Sequence, residues 1–248
     1  MNIYVDSIER YSKRTGFTSV FPEAALIDMD GTLYDSMPHH AKAWKLLTDE
    51  LGFDIPENEF FCYEGMTGVA TLEMLFRNAG RLVPSNDELK ELYRRKTEFF
   101  IRDGRSDIMP GAGKMIGTLA ENGIARVLVT GSGQMSLISK VCLDFNNLFS
   151  ADAMVTSHDV VKGKPDPEPY LKGMAIAGKS PDRCIVIENA PLGIMAGRDS
   201  KAFTIGVCTG PVPLGQMLDA GPDILFGSMP EFADALPGLI EAFRERRD

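Results

Sequence analysis

The stretch "ALIDMDGTLYDS" (residues 25–36) decides the fold of this 248-residue chain, because it runs an apolar segment directly into two carboxylates. The apolar part is short and ends before Gly31, which is typical of a buried parallel strand rather than a helix. Such a strand carries Asp28 and Asp30 at its carboxyl end. In open α/β sheets this end faces the ligand crevice, so the stretch predicts a site there.

Further short apolar runs follow the first one and alternate with helical patterns. The predicted strands after the first cover 124–130, 152–156, 184–188, 202–207 and 223–226. The predicted helices cover 111–122, 134–146, 167–177, 191–199 and 230–246. This alternation predicts an α/β fold with a Rossmann-like parallel-sheet core covered by helices.

The segment 37–107 contains no convincing strand and carries leucines and aromatics at helical spacing, with Gly or Pro between the patterns. We therefore expect a helical cap domain inserted into the α/β core. A short amphipathic helix is predicted before the first strand, because one of its faces carries Ile3, Ile8 and Tyr11. We expect this helix to be a docked or partly loose extension of the core. The predicted division is an N-terminal extension (1–23), a core (24–36 and 108–248) and a cap (37–107).

The amino-acid composition limits the kinds of molecule that the protein is expected to bind. With 35 acidic and 26 basic residues the formal net charge is -9, which would repel nucleic acid and anionic membranes, so we expect a small-molecule substrate. The chain has 4 cysteines without a C-x-x-C pair, as in a cytoplasmic protein with reduced thiols. Neither a signal peptide nor a transmembrane span is predicted. A capped single site needs no second subunit, so a monomer is expected.

Polar side chains stand at the ends of four predicted strands or in the loops after them. They are Asp28 and Asp30, Thr130 with Gly131 and Ser132, Lys164, and Glu188 with Asn189. Parallel strands bring these ends to one edge, where a nucleophile, an acid/base, a hydroxyl and a cation would meet. Phosphoryl transfer requires this set. The clustered oxygen donors suit Mg²⁺, whereas the 3 histidines form no ligand-spaced zinc cluster.

These segments resemble the haloacid dehalogenase-type phosphatases over residues 24–227. The four motifs are matched, in order, by "DMDGTL", "VTGSG", "KGKPDPEPY" and "VIENAPLGIMAG". The helical insert after the first motif resembles the cap of the β-phosphoglucomutase-like branch.

The resemblance implies a role for each matched residue. Asp28 would be the nucleophile, Asp30 the general acid/base and Lys164 the charge clamp. Thr130 would bind phosphate, with Gly131 and Ser132 beside it at a helix N-terminus. Mg²⁺ would lie between the Asp28 carboxylate, the Asp30 backbone carbonyl, Glu188 and Asn189.

Two departures from the family pattern bear on metal and substrate. The fourth motif usually offers two acids, but here Glu188 is followed by Asn189, which removes one negative charge and would weaken metal binding. The β-phosphoglucomutase of this branch also carries an arginine in the cap and a lysine after the second motif. Both bind the second phosphate of a bisphosphorylated intermediate. Gly68 and Gly133 stand at those positions here.

Other features of the cap remain similar to the mutase. His40, Trp44 and Lys96 match a histidine, a tryptophan and a lysine of its cap, and His40 would orient Asp30. Glu64 matches a cap-loop acid in a subgroup that includes an inorganic pyrophosphatase and proteins provisionally named β-phosphoglucomutases. These four side chains are the predicted substrate contacts in the cap.

Simpler interpretations remain open for each residue. The two aspartates could form a solvated turn, Thr130 and Asn189 could cap strand or helix ends, and Trp44 could belong to the cap core. The predicted function is a Mg²⁺-dependent phosphohydrolase that acts on pyrophosphate or a small sugar phosphate through an aspartyl-phosphate. The alternatives are a β-phosphoglucomutase and a non-catalytic protein that binds phosphorylated metabolites.

Overall fold

The fold is given by a computed structural model that describes residues 2–103, 106–133, 135–150 and 152–246. The strands are β1 (Ala24–Ile27), β2 (Tyr34–Asp35), β3 (Asp107–Ile108), β4 (Ala125–Val129), β5 (Met154–Val155), β6 (Cys184–Glu188), β7 (Phe203–Val207) and β8 (Ile224–Phe226).

Helices follow or separate most of these strands. They are α1 (Ile3–Thr15), α2 (Met37–Glu50), α3 (Gly68–Asn78), α4 (Asn86–Asp103), α5 (Ala112–Glu121), α6 (Met135–Asp144), α7 (Glu168–Ala177), α8 (Pro191–Asp199), α9 (Leu214–Asp219) and α10 (Met229–Arg244). Short 3₁₀ helices cover Glu57–Tyr63 and Pro181–Arg183.

The main sheet is parallel and has the strand order β5-β4-β1-β6-β7-β8. This arrangement confirms the predicted α/β fold class. The chain builds outward from β1 through β4 to β5, then returns to place β6 on the other side of β1. The order therefore reverses between β1 and β6, which is where α/β sheets bind ligands. Asp28 and Glu188 lie at this reversal.

The central strands are buried on both faces, which explains their unbroken apolar sequence. All four residues of β1 are buried, and they alternate between two apolar clusters. Ala25 and Ile27 pack in the larger cluster with α5 and α10, whereas Ala24 and Leu26 pack with residues of α7. This alternation fixes the strand rigidly, so the residues that follow it have a defined position.

The helical insert has an apolar cluster of its own. Residues from α2, α3, α4 and the 3₁₀ helix at Glu57–Tyr63 form it, among them Trp44, Phe60, Leu72 and Phe76. The insert begins and ends at a short antiparallel ribbon in which Tyr34 pairs with Ile108 and Asp35 with Asp107. The sequence analysis did not predict this ribbon, because two-residue strands carry no detectable period.

The N-terminal helix α1 is docked on the core. Tyr11 is fully buried, and its hydroxyl donates to the Lys201 carbonyl at 2.8 Å. Arg14 Nη2 donates to Asp223 Oδ2 at 2.8 Å. The expectation that Ile3 shares the buried face was wrong: Ile3 is 60% exposed, because it is the first residue of the helix and lines an open groove. None of the helices in the described ranges is long and apolar enough to cross a bilayer.

Candidate active site

Asp28 lies immediately after β1 and is paired with a buried lysine. Its backbone N–H donates to the Ile187 carbonyl at 3.1 Å, which extends the strand pairing to this residue. Lys164 Nζ lies 2.5 Å from Asp28 Oδ1. Burial raises the pKa of Asp28 well above its usual value; Lys164 opposes this rise, and the nearby charge of Glu188 adds to it. Asp28 is therefore a carboxylate largely removed from water.

Lys164 joins three parts of the site. Its ammonium donates to Asp28 Oδ1, to Glu188 Oε1 at 2.6 Å and to the Val129 carbonyl at 3.1 Å. Burial by itself disfavours the charged lysine, but Asp28 and Glu188 raise its pKa above the usual value. The lysine is therefore a fixed positive charge beside Asp28, as a clamp for phosphoryl oxygens would require.

Asp30 has a different environment from Asp28. Its Oδ1 accepts hydrogen bonds from Ser36 Oγ at 2.6 Å and from His40 Nε2 at 3.0 Å. Burial raises the pKa of Asp30, but His40 and Ser36 outweigh burial and bring this pKa below its usual value. The pKa values of the two aspartates are thus displaced in opposite directions, because Asp30 accepts from His40 and Ser36 whereas Asp28 lies near the charge of Glu188.

The insert reaches Asp30 through His40 and Lys96. His40 Nδ1 contacts Lys96 Nζ, and the imidazole stacks on Phe100 with 4.2 Å between ring centroids. Burial and the charge of Lys96 lower the pKa of His40, which favours the neutral form of the ring. A neutral ring that accepts from Lys96 at Nδ1 carries its proton on Nε2 and donates it to Asp30. The structure therefore links the insert to the proposed acid/base.

Lys96 allows a test by pH. Burial lowers its pKa to about 7, while a lysine in an unfolded chain titrates near 10.4; His40 and, beyond it, Asp30 are the titratable groups that face it. Below about pH 7 the Lys96 ammonium is charged in both the native and the unfolded state, and the native state bears the full cost of burying that charge. Between these two pKa values the unfolded chain holds a proton that the native state has lost, so stability rises with pH.

We expect Lys96→Met to abolish this contribution. Urea unfolding at several pH values from 7 to 10 should show a smaller rise in the unfolding free energy for the variant than for the wild type. The control is Lys90→Met, which changes an exposed lysine of the same helix and should keep the wild-type slope. Parallel curves for Lys96→Met and the wild type would contradict the prediction.

The second-motif residues lie at the end of β4. Thr130 is buried, and its Oγ1 accepts from the Ser132 backbone N–H at 2.9 Å. The alternative interpretation of Thr130 as a residue that ends the strand is therefore compatible with a phosphate-binding role. A Cβ atom on Gly131 would lie 2.7 Å from the Gly65 carbonyl oxygen. Glycine at position 131 thus lets the core loop touch the loop of the insert.

The fourth-motif residue Asn189 contacts the insert directly. Its Nδ2 donates to Glu64 Oε1 at 2.7 Å, and its Oδ1 accepts from Thr32 Oγ1 at 3.1 Å. Burial raises the pKa of Glu64, and the nearby charge of Asp28 raises it further. The predicted contact of Glu64 with the site therefore exists as a hydrogen bond to Asn189. A Cβ atom on Gly31 would lie 2.0 Å from Asn189 Nδ2, so this bond also needs glycine beneath it.

A small cavity lies between the insert and the core. It has a volume of about 60 Å³, enough for a few water molecules, and contains all the predicted cap contacts. Its apolar and aromatic wall comes from the insert: Met37, Trp44, Phe60, Tyr63, Met66 and Tyr93. Trp44 is both a wall residue and a member of the insert's apolar cluster, so the two interpretations of this residue are compatible.

Gly68 belongs to this wall and has no space for a side chain. A Cβ atom there would lie 2.0 Å from Cδ2 of Tyr93. We expect Gly68→Ala to displace the Tyr93 ring and to lower kcat/KM by roughly tenfold, as misplacement of positioning groups does. Gly117→Ala is the matched control, because a Cβ there meets nothing within 4 Å; it should raise stability by about 0.5–1 kcal/mol and keep kcat/KM. Equal kcat/KM for both variants would contradict this prediction.

Several contacts of the site were missed from sequence. Ser36 holds Asp30, Thr32 holds Asn189, and the hydroxyl of Tyr170 donates to Glu188 Oε1 at 2.7 Å. All three hydroxyl residues lie inside or beside the matched motifs, and this position was the only indication in the sequence that they belong to the site. Their partners could not be identified, because a hydroxyl has no spacing rule that fixes what it bonds.

The donor set suits a magnesium ion. Across the described residues, no three His, Cys, Asp or Glu side chains form a ready metal cage. The predicted set consists instead of hard oxygen donors, namely the Asp28 carboxylate, the Asp30 carbonyl, Glu188 and the Asn189 amide oxygen. Of these, Glu188 already accepts from Lys164, Tyr170 and two backbone N–H groups. Burial and the neighbouring carboxylates raise the pKa values of Asp28 and Glu64. A divalent cation would favour the ionised form of these carboxyl groups, so the residues fit the ion.

The chain is similar to known hydrolases and phosphomutases. The family described as haloacid dehalogenase-like hydrolase matches residues 22–201. Hexitol phosphatase A of Escherichia coli is 29% identical over 184 residues, which are 73% of this chain and 81% of that protein. The β-phosphoglucomutase of Bacillus subtilis is 29% identical over 203 residues, 78% of this chain and 86% of that protein.

One solved structure is similar over almost the whole chain. It is a protein of Bacteroides vulgatus provisionally called a β-phosphoglucomutase, with 37% identity and a TM-score of 0.93. The match covers 98% of each chain, so it includes the N-terminal helix. The fold described above is therefore shared with a structure that carries a mutase name.

Proposed function

Because the chain belongs to the haloacid dehalogenase-like hydrolase family, we propose that it is a Mg²⁺-dependent phosphohydrolase of small sugar phosphates. The observation that carries the proposal is the pair Asp28 and Asp30 at the carboxyl end of the central strand. Lys164 contacts the first aspartate, and two hydrogen-bond donors hold the second. Phosphatases and a mutase of sugars and polyols among the relatives support the substrate class.

In the proposed first step an Asp28 oxygen attacks phosphorus and the bond to the leaving oxygen breaks. Asp30 gives its proton to that oxygen, so the sugar leaves as an alcohol. Ser36 and His40 both bond Oδ1 of Asp30, which leaves Oδ2 as the atom that carries the proton. Lys164 would place its positive charge beside the equatorial phosphoryl oxygens, and the Thr130 hydroxyl would bind one of them.

In the second step a water molecule attacks the phosphorus of the aspartyl-phosphate. Asp30 takes a proton from this water, and the bond between phosphorus and the Asp28 oxygen breaks. Orthophosphate and the free carboxylate result, and Asp30 is protonated again for the next cycle. A magnesium ion held by Asp28, the Asp30 carbonyl and Asn189 would supply positive charge for the phosphoryl oxygens.

The insert (37–107) is proposed to act as a cap that opens for the substrate and closes for the reaction. In the closed arrangement Glu64 bonds Asn189 and the cavity between the insert and the core is only about 60 Å³, so the insert would have to open to admit a sugar phosphate. The insert lines the cavity with aromatic side chains and with one buried lysine, Lys96. The aromatic side chains favour a leaving group with a carbon skeleton.

A β-phosphoglucomutase is the second candidate, favoured by the contacts from Lys96 through His40 to Asp30 and by the Bacillus relative. It would use the same aspartyl-phosphate but return the phosphoryl group to another sugar hydroxyl. Glycine at positions 68 and 133 argues against it. Incubation with β-glucose 1-phosphate and a trace of the bisphosphate decides: conversion to glucose 6-phosphate faster than phosphate release would establish the mutase.

The proposed hydrolase is tested by phosphate release from sugar phosphates, polyol phosphates, pyrophosphate and nucleotides, each with Mg²⁺ and with EDTA. We expect release from sugar or polyol phosphates, and loss of that release in EDTA. A lack of release from every compound would remove the hydrolase and leave the non-catalytic alternative. A cytoplasmic location and a monomeric state are proposed as well; the first is supported by cysteines that are all free.

A further inference from the structure

We propose that Tyr170 is a positioning residue. Its hydroxyl holds Glu188 where the carboxylate binds Lys164, and Glu188 in turn keeps the lysine ammonium beside the nucleophile Asp28. The inference rests on the proposed function for its catalytic consequence. Tyr170 lies in α7, six residues after Lys164, and is fully buried. Its hydroxyl donates to Glu188 Oε1 at 2.7 Å, the same oxygen that accepts from Lys164 Nζ at 2.6 Å.

The carboxylate of Glu188 is fully occupied. Oε1 accepts from Tyr170 and Lys164, and Oε2 accepts from the backbone N–H groups of Asn189 and Ala190 at 2.9 and 3.1 Å. These four bonds equal the acceptor capacity of a carboxylate. Glu188 therefore has no lone pair directed at a metal ion in this arrangement. Its oxygens accept from Lys164, from Tyr170 and from the two backbone N–H groups that directly precede α8.

The backbone of α8 keeps Glu188 in this place. A Cβ atom on Gly193 would lie 1.8 Å from Glu188 Oε1, so glycine lets the helix close over the carboxylate. Lys164 Nζ also lies 5.1 Å from the centroid of the Tyr170 ring. The tyrosine thus contacts both members of the ion pair, the carboxylate through its hydroxyl and the lysine through its ring.

The hydroxyl fixes Glu188 Oε1 in the place where it accepts from Lys164. Without the hydroxyl, Oε1 would keep the lysine as its only donor, so both side chains would gain freedom. Lys164 would then be held less firmly at Asp28 and at the phosphoryl site beside it. Metal binding would be left to Asp28, the Asp30 carbonyl and Asn189.

The test compares Tyr170→Phe with Tyr11→Phe. Both tyrosines are fully buried and each loses one hydroxyl bond, but Tyr11 donates to the Lys201 carbonyl, outside the described active site. Phenylalanine keeps the ring in both places. We expect Tyr170→Phe to lower kcat roughly tenfold, because a hydrogen bond to a charged group contributes a free energy of that order. Its thermal midpoint should equal that of Tyr11→Phe. Tyr11→Phe should keep the wild-type kcat.

A second readout needs neither metal nor substrate. In the ¹⁵N spectrum of lysine-labelled protein in EDTA, the ammonium of Lys164 should exchange slowly with water, because all three N–H bonds are used. Its signal is assigned by its loss in Lys164→Met. We expect faster exchange in Tyr170→Phe and wild-type exchange in Tyr11→Phe.

Each outcome decides one of the two proposals. An unchanged Lys164 signal in Tyr170→Phe, or a wild-type protein without a protected signal, overturns the role of Tyr170. Faster exchange in Tyr170→Phe with unchanged kcat also overturns it. If the wild type releases no phosphate from any compound, the phosphohydrolase fails, and the exchange measurement alone then decides whether Tyr170 positions the lysine.

Discussion

Asp28→Asn is expected to lower phosphate release by roughly 10⁴-fold while the fold stays intact, because an amide cannot form the proposed covalent intermediate. The fold should not suffer. Burial raises the pKa of Asp28 and the charge of Glu188 raises it further, so removal of the Asp28 charge relieves a cost in the native state. Lys164 keeps Glu188 as its partner. We therefore expect the thermal midpoint to equal or exceed that of the wild type.

The control for this variant is Asp35→Asn, which removes a carboxylate from an exposed position in the ribbon after the same motif. It should keep the wild-type kcat/KM. Both variants are compared by phosphate release with the best substrate of the screen and by thermal unfolding. Residual turnover of Asp28→Asn within tenfold of the wild type would rule out Asp28 as the nucleophile.

Asp30→Asn is expected to have the second largest effect, a fall in kcat/KM of roughly 10²–10⁴-fold for a sugar phosphate. The reason is that an alkoxide leaves poorly unless it receives a proton. An aryl phosphate such as p-nitrophenyl phosphate releases a stable phenolate, so its kcat/KM should fall much less. The ratio of the two effects separates loss of a proton donor from general damage to the site.

His40→Ala serves as the companion variant because it removes one of the two donors to Asp30 without changing the carboxylate. We expect a smaller loss with the same dependence on the leaving group, since Ser36 still holds Oδ1. An equal loss for aryl and sugar phosphates in Asp30→Asn would contradict the assignment of Asp30 as the acid/base. Both measurements use the initial rates of the intact enzyme.

Much of the fold was readable from the sequence because it depends on local patterns. Short β-branched runs between helical patterns predict a parallel sheet, and the strands of the main sheet lie within the predicted runs. The family was identified from four motifs, and the match to residues 22–201 confirms it. The boundary ribbon β2–β3 escaped notice because two residues are too few to show a period.

The contacts within the site could not be derived in the same way. Lys96 bonds His40 across 56 positions, and Asn189 bonds Glu64 across 125. Either residue could have faced solvent with the same sequence, because helical spacing fixes a face and not a partner. The roles of these residues in turnover stay predictions until the variants are measured.

The sequence by itself determined that the chain forms a parallel sheet covered by helices, because short apolar runs alternate with helical patterns. The order of the strands came only from the tertiary structure. The sequence also determined the family, whereas the reactive groups that the motifs name remain predictions. Only the tertiary structure decided how those groups are charged and aimed. Burial raises the pKa of Asp28, whereas His40 and Ser36 outweigh burial at Asp30 and lower its pKa. Lys164 and Tyr170, which both donate to Glu188, lie 24 and 18 positions before it. These properties arise from packing between distant elements, which no local pattern encodes.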